Sequence, residues 1–205
     1  MEESIIAIIN QKNNESSDEL LSNRFKLILA VLLVLFFIAS AYGVQRTILS
    51  TYAGDKVDVT LWFETGAWLS IAFTLAGFGL FKAIAGFLTG PSTSRFGIRS
   101  VITFGAGLFT LGSVGLLFSQ GDPLILGLCN SFLGAGEGLL YAGAMLYLSN
   151  IGEISKRAQW LGLMELAVYA GYSVGALFSG FFTMISGILE TSFLFSVIIS
   201  SLIIN

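Results

Sequence analysis

Leu27–Gln45 reads LILAVLLVLFFIASAYGVQ, nineteen residues without a charge, set between Lys26 and Arg46. At about 1.5 Å of rise per residue this run makes a helix of about 28 Å, close to the thickness of a bilayer's hydrocarbon core. Ala39-Ser40-Ala41 has the small-x-small look of a signal-peptide cleavage site. The acidic tail in front and the further apolar runs behind speak instead for a first membrane span.

The same reading extends down the chain. Apolar runs cover Thr65–Ser94, broken by Lys82, and Ser100–Gly121. Others cover Pro123–Gly152, broken by Glu137, and a stretch from Ala158 to about Met184 that contains Glu165. A last run starts near Ile188 or Thr191 and stops at Asn205. From Thr191 that is only about 21 Å of helix. The expected organisation is therefore a disordered acidic tail at 1–23 and a transmembrane domain at 24–205. Its spans are expected at about 27–46, 65–90, 100–119, 123–149, 158–184 and 188–205, the last truncated. Pro91, beside Gly90, is expected to end the second span.

Composition agrees. Of 205 residues 55% are hydrophobic and 11% charged, less than half the charge of a soluble domain. Glycine is frequent (24) and proline rare (2), as in packed membrane helices. The chain has no histidine and one cysteine, Cys129. Ser-His and Cys-His dyads, histidine metal sites and intrachain disulfides are excluded, so an enzyme, a metal centre and a cofactor are not expected. A net charge of −3 gives no footprint for nucleic acid.

Orientation follows the basic residues. With the N-terminus inside, the cytoplasmic segments hold Lys12, Arg24, Lys26, Arg95, Arg99, Lys156 and Arg157, and the outer segments hold Arg46 and Lys56. Seven against two predicts a multi-pass protein of the cell membrane with a cytoplasmic N-terminus.

Lys82, Glu137 and Glu165 lie inside spans, where each costs about 3 kcal/mol unless paired or facing a cavity. Asn130, Glu137 and Tyr141 share one face of the fourth span, and Glu165, Tyr169 and Tyr172 one face of the fifth. Two faces carrying a carboxylate and tyrosines read as walls of a polar cavity, with Lys82 neutralising one of the carboxylates. Without histidine, proton coupling falls to carboxylates, which a low-dielectric site brings closer to reversible protonation. Gly134/Gly138 and Gly171/Gly175, at four-residue spacing, read as close helix-packing faces.

Gly90-Pro91-Ser92-Thr93-Ser94-Arg95-Phe96-Gly97-Ile98-Arg99 resembles the loop signature of the major facilitator superfamily, G-x-x-x-D-R-x-G-R-R. Gly90, Arg95, Gly97 and Arg99 match; Ser94 replaces Asp and Ile98 a basic residue. Asn130-Ser131-Phe132-Leu133-Gly134-Ala135-Gly136 is similar to R-x-x-x-G-x-G, with Asn130 for Arg. Gly162, Gly171, Gly175, Ala176, Ser179 and Gly180 resemble an antiporter signature in which Ala176 stands for Pro and Ser179 for Gly. The resemblance implies an all-α, polytopic six-helix half built of two inverted three-helix repeats. It implies secondary transport of a small organic solute by alternating access, coupled to protons, with export favoured by the span-five glycines. Gly90, Ser94, Arg95, Gly97 and Arg99 would form a cytoplasmic gate loop. The partners implied are the bilayer, a small-molecule substrate, and a missing C-terminal half or a homodimer mate. Lys82, Glu137 and Glu165 would otherwise face lipid or an open groove. The rival expectation is a truncated or non-transporting membrane interaction subunit.

Overall fold

The computed structural model describes residues 22–47, 49, 67–119, 122–151, 154–186, 194, 197 and 198. Among these there are helices and no strand. Helix α1 covers Ser22–Thr47, α2 Ala67–Phe96, α3 Ile98–Leu117, α4 Pro123–Ile151 and α5 Arg157–Ser186, with a short 3-10 turn at Ile154–Lys156 before α5. The stretches of α1, α3, α4 and α5 at Ser22–Thr47, Ile98–Leu117, Leu124–Ile151 and Ile154–Phe181 are long and apolar enough to cross a membrane. Large apolar side chains stand exposed on the outside, Phe87, Phe104, Phe118, Leu166 and Leu177 among them. That surface would be a liability in water and suits lipid. Most of the tail read at 1–23 lies outside the described residues, although its last two residues are helical and open α1. The truncated sixth span lies outside them too, apart from helical residues 194, 197 and 198.

The chain ends its helices by identifiable local chemistry. Asp122 caps α4: its Oδ1 accepts the amides of Leu124 (2.8 Å) and Ile125 (3.2 Å), with Pro123 at the first helical position. The junction of α2 and α3 corrects the expectation that Pro91 ends the second span. Helix α2 runs through Pro91 to Phe96. Proline removes one backbone donor. The carbonyl that loses this donor is that of Phe87, while the hydroxyls of Thr93 and Ser94 add bonds to the carbonyls of Gly90 and Pro91 in the next turn, both at 2.8 Å. The stop is Gly97, the single residue between α2 and α3, with φ +81°. A Cβ there would meet nothing within 4 Å, so the constraint is the left-handed backbone alone. Gly97→Ala is expected to lower stability by about 1 kcal/mol, measured by denaturant unfolding in mild detergent.

Glycines set the helix crossings. A Cβ at Gly134 would fall against the Phe78 backbone, 2.9 Å from its Cα, and one at Gly138 would stand 2.5 Å from the Lys82 carbonyl oxygen. Both press α4 onto α2. Gly136 lies on the other side of α4, where a Cβ would stand 2.5 Å from the Phe109 amide nitrogen of α3. Two residues along a helix turn about 200°, so alternate glycines let α4 touch a neighbour on each side. Gly171 and Gly175 play the same part for α5, whose backbone lies against the Phe36 and Ser40 carbonyls of α1. The interior between these pairs is apolar. Ile38, Ala41 and Val44 of α1 meet Phe109 and Leu116 of α3 and Leu133 and Leu140 of α4. Nearer the other end, Ile28 and Leu35 meet Leu148, Met164 and Val168.

Candidate functional site

Three helices converge on Glu137, which is 4% exposed in the middle of α4. Because Gly138 holds α2 close, the Lys82 ammonium reaches its carboxylate at 3.2 Å. Because Gly171 and Gly175 hold α5 on α1, Tyr172 faces the same carboxylate, and its hydroxyl donates to Oε1. Oε1 thus takes both partners. The second oxygen, Oε2, is buried and has no hydrogen-bond partner among the described residues. A buried acceptor left open is costly and seldom incidental.

Lys82 is the open side of this pair. Its side chain is 34% exposed against 5% for Glu137. Its ammonium lies 5.6 Å from the Phe78 ring centroid and 5.7 Å from that of Tyr141, both within cation–π range. Tyr141 in turn donates its hydroxyl to Glu165 Oε1. Tyr42 of α1 stacks on Phe78 with centroids 4.3 Å apart and meets the Tyr172 ring edge-on at 5.7 Å. Tyr169 meets Tyr172 at 6.1 Å and is 65% exposed, so the aromatic cluster opens on one side.

The shared faces read from sequence therefore pair crosswise. Tyr141 on α4 serves Glu165 on α5, and Tyr172 on α5 serves Glu137 on α4. Asn130 stands apart, fully buried two turns before Glu137, with its amide donating to the Thr74 carbonyl at 2.7 Å. Glu137 is enclosed, Lys82 lies on its carboxylate, and each carboxylate has a partner within the described helices. Tyr42 and Phe78 were not legible as site residues. The only signal was that Tyr42, like the other tyrosines, lies inside a span.

The residues read as a cytoplasmic loop are mostly helical. Gly90, Ser94 and Arg95 lie on the last turns of α2, Arg99 lies in the first turn of α3, and only Gly97 is outside helix. Arg95 is exposed and lies over the Phe96 ring at 5.3 Å; Arg99 is exposed as well. An apolar groove of about 690 Å³ runs between α2, α3 and α4, lined by Phe81, Ile84, Leu88, Phe96, Phe104 and Leu108 among others. Among the described residues no ionisable side chain lines it.

Similar proteins agree on the fold. A D-xylose transporter of Levilactobacillus brevis is 33% identical over 100 residues, which cover 47% of this chain and 22% of that protein. The inward-open xylose transporter XylE from E. coli matches with a TM-score of 0.72 and 20% identity, over 88% of this chain and 47% of the other. The proton:xylose symporter XylE bound to 6-bromo-6-deoxy-D-glucose gives 0.75 and 19%, over 89% and 44%. The chain spans about half the length of the solved structures it matches. The Major Facilitator Superfamily matches this sequence over residues 28–204, and the chain belongs to that family.

Proposed function

We propose that this chain forms one half of a proton-coupled secondary transporter that moves a small hydroxylated solute across the cell membrane by alternating access. The observation that carries the reading is the Glu137 carboxylate, enclosed among α2, α4 and α5, with one oxygen bonded to Lys82 and Tyr172 and the other unengaged. Such a group can take a proton in place of its cation. Beside it the open aromatic side, with Tyr169 exposed, suits an apolar ring face flanked by hydroxyls. The D-xylose transporter and the proton:xylose symporter among the similar proteins support a sugar-like solute and inward movement with the proton. This replaces export by antiport, which the span-five glycines had favoured. The second wall of the cavity comes from another six-helix unit, a separate half or a second copy. The seven-to-two bias of the basic residues supports a cytoplasmic N-terminus, with Arg95 and Arg99 at the inner edge as a latch for the second unit.

The test uses the chain as purified from its native membrane with whatever unit accompanies it, reconstituted in liposomes. An inward proton gradient is expected to drive D-xylose accumulation. Glu137→Gln should lose that accumulation yet keep counterflow, since the cavity survives and the titrating group does not. Full gradient-driven accumulation by the variant removes Glu137 from the mechanism. No solute movement by the assembled unit favours the non-transporting interaction subunit.

A further inference from the structure

Lys82 is paired with one carboxylate and stands one tyrosine ring away from a second. It is bonded to Glu137 Oε1 at 3.2 Å. Its ammonium also lies 5.7 Å from the centre of the Tyr141 ring, and the hydroxyl of that ring sits on Glu165 Oε1. The lysine stem is flexible and carries its charge as a point, free of the fixed fork geometry of arginine. It is also the partly exposed member of its pair, with room to move on the open side.

We infer that Lys82 is shared by the two carboxylates and passes from Glu137 to Glu165 when Glu137 takes a proton. The inference deepens the proton-coupled reading above and rests on it. The incoming proton adds to Glu137 Oε2, the buried oxygen with no partner, and makes a neutral carboxylic acid. Lys82 stays protonated throughout. Its attraction to Glu137 is lost, and Glu165 is the remaining anion near it. One other described charge stands near the cluster: Arg46, one turn along α1 from Tyr42, is hydrogen-bonded to that tyrosine. Helix α1 presents Tyr42 and Arg46, α5 presents Glu165, Tyr169 and Tyr172, α4 adds Tyr141, and the only ionisable residue of α3 is Arg99 at its exposed end. Lys82 with Glu137 ties α2 to the helix it already packs on. Lys82 with Glu165 ties α2 to α5, which belongs with α1. One proton therefore moves a charged cross-link from inside one packed pair to between two.

An apolar carbodiimide joins an amine to a carboxyl group in contact with it, and peptide mass spectrometry then identifies the partners. Applied to the purified full chain in mild detergent, it should give mainly the Lys82–Glu137 amide. In Glu137→Gln, which carries the neutral form permanently, the Lys82–Glu165 amide should rise about tenfold over the native yield, a shift of about 1.4 kcal/mol in partner preference. Acidifying the native chain should move the ratio the same way, which keeps the test open if the variant does not fold. A folded Glu137→Gln with no rise in the Lys82–Glu165 amide overturns the exchange, as does a native ratio unchanged by acid. The two readings fail separately. Crosslink transfer with full gradient-driven transport by Glu137→Gln leaves the exchange standing without coupling. Loss of transport without crosslink transfer leaves Glu137 as the coupling group and removes the sharing.

Discussion

Lys82→Met is expected to lower the stability of the chain by about 3 kcal/mol, measured by denaturant unfolding in mild detergent. Removing one member of a buried pair leaves the other as an uncompensated charge, which costs about 3–5 kcal/mol. The low end applies because Lys82 is one-third exposed and Tyr172 still donates to Glu137. The expected control is Lys82→Met combined with Glu137→Leu, which removes both charges and should recover most of the loss. A single-variant loss below about 1 kcal/mol would mean that Tyr172 alone supports the carboxylate and that the pair carries little.

Gly134→Leu should cost about as much, for a reason of shape. Its side chain would enter the backbone of Phe78, which has no side-chain freedom with which to yield. Overpacking of a tight contact costs about 1–3 kcal/mol, and here the whole α2–α4 crossing has to open. Opening it also draws Lys82 away from Glu137, since Gly138 and the Lys82 carbonyl form the next contact along the same crossing. Gly86→Leu is the control. Nothing lies within 4 Å of a Cβ there, so its stability should match that of the native chain within about 0.5 kcal/mol. Equal losses for the two variants would refute the crossing as the cause.

What the sequence made legible divides by physical range. The spans are local: Leu27–Gln45 has length and hydropathy enough to declare itself, and α1 is found over it. The close-packing role of Gly134, Gly138, Gly171 and Gly175 was legible because lipid supplies no hydrophobic drive and small residues are the remaining device. The end of α2 was not legible. Proline usually breaks a helix, and periodicity does not encode that α2 continues past Pro91 until the left-handed backbone of Gly97 stops it. The crosswise pairing of Tyr141 with Glu165 and Tyr172 with Glu137 was hidden for a different reason. A helical face tells which residues of one helix travel together, and only the crossing angle and height of the next helix decide whom they meet. The stacking of Tyr42 on Phe78 joins residues thirty-six apart and left no trace in either local pattern.

Gly97 gives the α2–α3 junction a mechanical meaning. A connection of one residue has no slack, so α2 cannot slide along its axis without moving the start of α3. Lys82 lies fifteen residues before that joint, about 22 Å along the helix. Helix α2 is therefore a lever with a charge at its midpoint and a knee at its tip. A displacement of Lys82 along the axis of α2 would reach Arg95 on its last turn and Arg99 on the first turn of α3.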